Sequence, residues 1–310
     1  MSKDWEYLNT DKNFSHWSKR KDRFYPTNVT HNNLPSAVYE PRIDGEENVY
    51  AVKLDFPADS LIHIPGTPTD YILEQIKKFW SKKQIFENVG LLYKRGVLLY
   101  GPSGCGKTSI IRLLCDEVIA RDGIVISVSD IRDTQSLLLK LREIEPDRPL
   151  MTIFEDIEGK MEKSDDASDV LSFLDGEKQL SNIIHLATTN KPDILEDRLL
   201  RRPGRFDLVI GLNPPIREAR EKYISHIVRD KLPQEQINRM ADDTDGLGLA
   251  HLRELVVAVL CLDMDYDITL RRLKGNIKDD IKMPKLGQKT GFTLGFSSEG
   301  KPKTEVEEDR

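Results

Sequence analysis

The chain has 310 residues, 38% of them hydrophobic and 32% charged, and a net charge of −6 at pH 7, which suits a globular chain long enough for about two domains, each with its own core. No run reaches the ~18 consecutive apolar residues of a membrane-spanning helix, and the acidic excess argues against nucleic-acid binding through the overall field, leaving "SKRKDR" at Ser18 to Arg23 as the candidate basic patch. Cys105, Cys115 and Cys261 have no CxxC or Cys/His spacing, so neither a disulfide framework nor a zinc site is supported.

Residues 1–70 hold Pro26, Pro35, Pro41, Pro57, Pro65 and Pro68 and a strand-like "NVYAVKLDF", and are read as a separate N-terminal domain of unassigned fold. The opening "MSKDWEYLNTDKNF" is too polar and acidic for a signal or transit peptide, which gives the expectation of a cytoplasmic location with reduced thiols. Residues 71–215 alternate apolar strands with helical patterns. Strands are predicted at Gly96–Tyr100, Ile124–Val128, Leu150–Phe154, Ile183–Thr188 and Leu208–Leu212. In "KTSIIRLLCDEVIARDG" Ile110, Ile111, Leu114, Val118 and Ile119 line one helical face, and "TQSLLLKLREIEP" is a second helix ending near Pro146. Such a pattern predicts an α/β fold: a three-layer, mostly parallel sheet covered by helices on both faces. Strand signals stop at Asn213. Helical patterns over Ile216–Asp230, Gln234–Asp243 and Leu249–Asp265 predict a small all-helical lid at residues 216–280, and the polar end at 281–310 is expected to be disordered.

Between the first core strand and its helix stands "GPSGCGKTS", in which Gly101, Gly106, Lys107 and Thr108 fit G-x-x-x-x-G-K-[ST]. A glycine-rich turn at a helix N-terminus points backbone N–H groups at an anion, so Gly101, Pro102, Ser103, Gly104, Cys105, Gly106, Lys107, Thr108 and Ser109 are expected to cradle a nucleoside triphosphate, ATP. Lys107 reaches the β- and γ-phosphates and Thr108 holds Mg²⁺. Cys105 is read as permissive filler, not a nucleophile. The strand "LMTIF" ends in Glu155 and Asp156, the two acids a triphosphatase needs, in the reverse of the usual Asp-Glu order. By position Glu155 helps hold Mg²⁺ through water and Asp156 orients and deprotonates the attacking water, although the two side chains have traded reach. Asn190, ending "IIHLATTN", suits a side chain that positions the lytic water or senses the γ-phosphate. "DRLLRRPGRFD" then gathers Arg201, Arg202 and Arg205 around a Pro-Gly turn.

With these motifs in place, residues Tyr71 to about Ala258 resemble an AAA+ ATPase of the AAA clade: Walker A at Gly101–Thr108, Walker B at Ile153–Asp156, sensor 1 at Asn190 and paired arginine fingers at Arg202 and Arg205. "LLYKRGVLLYGPSGCGK", the swapped acids and "ISVSDIRDTQSLLLKLREI" are similar to the subgroup that includes the mitochondrial AAA protein translocating the Rieske iron–sulfur subunit, whose transmembrane helix and import region have no counterpart here. The resemblance implies ATP hydrolysis with Mg²⁺, a homo-oligomeric ring of six or seven subunits, and a protein client remodelled or translocated through the N-terminal region. "SDIRDTQS" lacks the aromatic and glycine with which ring unfoldases grip a threaded chain. In the lid, "DGLGLAHLRELV" resembles the clade's G-[FY]-[ST]-G-A-D-L stretch, with Leu249 in place of glycine and His251 in place of aspartate, a lid-interface position. Two other classes remain open at this point: a nucleic-acid loader or motor, and an ATP-dependent assembly switch that barely hydrolyses.

Overall fold

The computed structural model describes residues 16–20, 22–27, 32–45, 48–55, 68–161, 164–175, 179–195, 199, 204–275 and 293–294. The chain divides into two compact units: residues 1–58, 82–96 and 114–187 form one, and residues 59–81, 97–113 and 188–310 the other.

The first unit is built on a sheet whose parallel part follows from uninterrupted apolar runs. Strands β6 (Ile124–Ser127), β7 (Leu150–Phe154) and β8 (Ile183–Thr189, of which Thr188 and Thr189 belong to the second unit) pair in parallel, with Ile126 opposite Thr152 and Ile153 opposite Leu186. Every residue of β7 and β8 is buried, as expected of parallel strands covered on both faces. To the free edge of β6 the chain adds β1 (His16–Arg20), β2 (Arg23–Thr27), β3 (Val38–Ile43) and β4 (Val49–Leu54) in the order β1-β2-β4-β3, antiparallel to one another, and β3 then runs parallel to β6 through Val38–Val125 and Tyr39–Ile126. The strands of the N-terminal region thus share a hydrogen-bonded edge with the core strands. Helix α4 (Ile131–Ile144) lays Leu137, Leu138 and Leu141 into the same apolar cluster as Trp17, Leu34, Tyr39, Ile124, Leu150 and Ile183.

That junction carries a buried charge pair. Trp17 Nε1 donates to Glu145 Oε1 at 3.0 Å, the Leu34 N–H donates to the same oxygen at 2.8 Å, and Arg148 Nη1 donates to Glu145 Oε2 at 2.6 Å. Both side chains are almost wholly buried, 4% and 8% exposed, so the carboxylate is tolerated only because donors satisfy both oxygens. Arg148 goes on to donate to the Leu34 carbonyl at 3.0 Å.

The second unit holds β5 (Lys94–Tyr100, from Val97 onward), β9 (Leu208–Gly211) and the short β10 (Thr293–Leu294), all parallel, with Leu98 opposite Val209 and Val209 opposite Thr293. Two residues of the tail expected to be disordered are therefore paired in a strand. Among the described residues four α-helices follow β9: α8 (Arg217–Val228), α9 (Gln234–Asp243), α10 (Leu249–Cys261) and α11 (Tyr266–Gly275). They pack Ile224, Val228, Ile237, Met240, Leu252, Leu255, Val256 and Leu270 into one cluster. The single helix predicted for Leu249–Asp265 stops at Cys261. Asp263, at φ 49°, turns the chain left-handed before α11 begins. Arg220 pins the group internally, donating to the carbonyls of Ala241 at 2.9 Å and Pro215 at 2.8 Å. Among the described residues no helix is long and apolar enough to cross a membrane.

Replacing Glu145 by Ala strands the Arg148 guanidinium, the Trp17 indole N–H and the Leu34 amide together. Urea unfolding followed by tryptophan fluorescence is expected to report a loss of about 3–5 kcal/mol.

Candidate nucleotide site

Strand β5 delivers the chain into the glycine loop, and the loop's backbone is fixed on two sides. The Gly101 N–H donates to the Thr189 carbonyl at the end of β8 at 3.3 Å, and the Leu212 N–H donates to the Tyr100 carbonyl at 2.7 Å. Gly101 has φ 154°, and a Cβ there would stand 2.3 Å from the Leu212 carbonyl oxygen; no other residue fits. After Gly106 the loop becomes helix α3 (Lys107–Ala120), whose opening turn is registered by Ile110 N–H donating to the Gly106 carbonyl at 3.1 Å. Lys107 is 8% exposed. Its Nζ donates to the carbonyls of Gly101 at 2.7 Å and Pro102 at 3.0 Å and to Asn190 Oδ1 at 2.5 Å. The predicted lysine and the predicted sensor, 83 residues apart, are thus in direct contact. Ser103, Thr108 and Ser109 are exposed, which leaves the Thr108 hydroxyl on the first turn of α3 accessible to a metal ion.

Cys105 is 6% exposed. Burial pushes its thiol up to about 11, against the lowering influence of Lys107, so at neutral pH it is protonated and unreactive, in keeping with its reading as filler.

The lid meets the loop through α10. Gly248, the residue before that helix, approaches the loop so closely that a Cβ on it would lie 2.8 Å from the Gly104 carbonyl oxygen, while a Cβ on Gly104 would meet Ala250 Cβ at 3.1 Å and His251 Nδ1 at 3.7 Å. Leu249 Cδ1 lies 3.4 Å from the position a Cβ on Gly106 would take. His251 therefore stands at the interface between lid and loop, its Nδ1 buried without a hydrogen-bond partner among the described residues. Gly248 and Ala250 were not among the predicted site residues; the signal for them was the small residues of "GLGLA", which allow a helix end to touch another backbone.

In the first unit, Glu155 and Asp156 are both exposed just past β7. Asp156 sits at φ 45°, a left-handed conformation unusual for a non-glycine residue, and the Gly159 N–H donates to its carbonyl at 3.0 Å as α5 (Glu158–Met161) begins. The β6–α4 turn is drawn in. The Asp130 carboxylate accepts from the N–H groups of Arg132 at 2.8 Å and Asp133 at 3.0 Å, and Lys160 Nζ donates to the Ser129 carbonyl at 2.5 Å. Within the basic patch, Lys19 Nζ lies 5.9 Å over the Phe24 ring and the Arg23 guanidinium 4.7 Å over the Tyr50 ring. Arg201 and Arg202 lie outside the described residues. Arg205 is described, and its side chain is only 3% exposed within its own chain.

Residues 97–214 match the family described as "ATPase family associated with various cellular activities (AAA)". The chain is 31% identical over 209 residues to the ATP-dependent zinc metalloprotease FtsH 1 of Conexibacter woesei, covering 59% of this chain and 31% of that protein. It is 32% identical over 190 residues to the proteasome-activating nucleotidase of Pyrococcus abyssi, covering 56% and 48%. With the cell division cycle protein 48 homolog of Archaeoglobus fulgidus the identity is 32% over 196 residues, 58% of this chain and 26% of that one. The chain thus spans half or less of the length of these curated relatives.

Native protein treated with iodoacetamide at pH 8 is expected to carry label on exposed Cys261 and none on the buried Cys105 or Cys115. Peptide mass spectrometry reads the three sites separately. Gly248→Ala forces a methyl against the Gly104 carbonyl, an overpacking that costs about 1–3 kcal/mol, and is expected to lower the melting temperature and weaken retention of a fluorescent ADP.

Proposed function

With an AAA ATPase domain over residues 97–214 as the premise, we propose that this chain hydrolyses ATP in a Mg²⁺-dependent reaction and uses the cycle to remodel or translocate a protein client. The observation that carries the reading is the Gly101–Thr108 cradle, where a steric constraint at Gly101 fixes the loop and a buried ammonium, Lys107, stands at its end. Lys107 supplies positive charge to the β- and γ-phosphates, and Thr108 and Glu155 are the residues that would hold the metal ion. Mg²⁺ supplies neutralisation of the phosphate charge. Asp156 takes a proton from the attacking water and Asn190 orients it, so that the γ-phosphoryl passes to water and ADP departs as leaving group.

Assembly into a ring of six or seven copies is part of the proposal. Arg202 and Arg205 serve the neighbouring subunit's γ-phosphate, where an arginine finger contributes about 10³–10⁵ in rate. For that role Arg205 has to leave the buried place it occupies in its own chain. A client-facing role for residues 1–70 accords with their strands sharing an edge with β6, next to the acid-bearing strand β7. The drawn-in, hydrogen-bonded turn at Ser129–Asp133, without aromatic or glycine, offers no grip for hand-over-hand threading. That feature and the reversed acids favour the subgroup resembling the Rieske-protein translocase over the threading proteases and unfoldases. The small lid completes the nucleotide site through Gly248 and His251, and a cytoplasmic location fits the free thiols.

Subunit mixing tests the shared site. Lys107→Ala and Arg205→Ala proteins are each expected to release phosphate at under a tenth of the wild-type rate, and their mixture to recover measurable turnover. Full activity in Arg205→Ala alone, with no recovery on mixing, would contradict the proposed trans contact.

A further inference from the structure

The lysine of the phosphate cradle is already fully engaged by the chain's own oxygens. An ammonium has three N–H donors and no more. On Lys107 they point to the Gly101 carbonyl at 2.7 Å, the Pro102 carbonyl at 3.0 Å and Asn190 Oδ1 at 2.5 Å. A charge that is 8% exposed is stable only with such partners. Phosphate oxygens arriving at Nζ therefore have to replace an acceptor that the chain itself supplies.

The three acceptors are not equally replaceable. The Gly101 and Pro102 carbonyls belong to backbone held by the Gly101 N–H bond to Thr189 and the Leu212 N–H bond to Tyr100, beside Leu212, where a Cβ on residue 101 would stand 2.3 Å from the carbonyl oxygen. Asn190 Oδ1 stands at the end of a partly exposed side chain that rotates about two bonds. Of these three contacts it is the one made by a side chain. We infer that Asn190 is an internal competitor for Lys107: the triphosphate displaces its amide from the ammonium, and only then is the amide free to turn toward the water. The inference rests on the ATPase reading and adds to it a specificity device. A ligand that reaches Nζ with more anionic oxygens displaces the amide more completely, so a nucleoside triphosphate is favoured over a diphosphate, and the release of the sensor is coupled to arrival of the γ-phosphate.

The inference predicts the opposite of a simple ligand role. If Asn190 only bound the γ-phosphate, removing its amide would loosen nucleotide. If it competes for Lys107, removal leaves a buried donor seeking an acceptor, and nucleotide binds more tightly. The test is a fluorescence titration of the full chain with a slowly hydrolysed, fluorescently labelled ATP analogue and with the matching ADP derivative, in Mg²⁺, for wild type, Asn190→Ala and the similarly shaped Asn190→Leu. The expected result is about five- to tenfold tighter binding of the triphosphate in either variant, a smaller gain for the diphosphate, and phosphate release reduced at least about tenfold. Unchanged or weaker triphosphate binding in whichever variant is soluble and folded overturns the competition while leaving the ATPase reading standing. Failure of the wild type to bind either nucleotide removes the ATPase reading and the competition with it.

Discussion

A methyl group at residue 101 would collide with the carbonyl oxygen of Leu212 at 2.3 Å. That one steric fact fixes how the chain leaves β5, because the loop has to pass flush against the backbone following β9 while its own N–H is tied to the end of β8. From that fixed start the backbone turns through positive φ at Gly104 and Gly106, 78° and 96°, and reaches α3 with Lys107 buried at the helix start. A lysine so placed has the loop's own carbonyls and the Asn190 amide oxygen among its acceptors. The energy that would hydrate an exposed ammonium is replaced by acceptors that an anionic ligand can substitute.

The same loop is the footing of the lid. Gly248 presses on the Gly104 carbonyl, and the Leu249 and Ala250 side chains fill the space over Gly106 and Gly104, so α10 is registered directly on the glycine loop. Helix α10 in turn contributes Leu252, Leu255 and Val256 to the cluster that α8, α9 and α11 share. Contacts this close leave little room for the loop to shift without moving α10, since close-packed interiors transmit strain.

Much of this was legible in the order of residues. The five core strands fall within two residues of their predicted bounds because parallel strands buried on both faces read as unbroken apolar runs, and "GPSGCGKT" announces its own turn-to-helix geometry. Elements that bury little were harder to read. Strand β1, "HWSKR", places a single tryptophan in the core among polar neighbours, and α2 (Lys83–Asn88) buries none of its residues, so neither leaves a periodic signal. The break at Asp263 was hidden because a left-handed aspartate has no sequence mark as strong as glycine's. Contacts between distant positions were beyond any local pattern: Lys107 with Asn190, Glu145 with Trp17 and Gly104 with Gly248 are made by the fold, and only the small or polar character of each residue hinted at a partner.

The central claim is that the glycine loop and Lys107 form a site that grips the phosphates of ATP. Isothermal titration of the intact chain with Mg·ATP, beside a Lys107→Ala variant shown by circular dichroism to be folded, addresses it directly. The account predicts saturable uptake approaching one nucleotide per chain in the wild type and affinity reduced at least about tenfold in the variant. Equal affinity in the two proteins, or no uptake by the wild type, would contradict it.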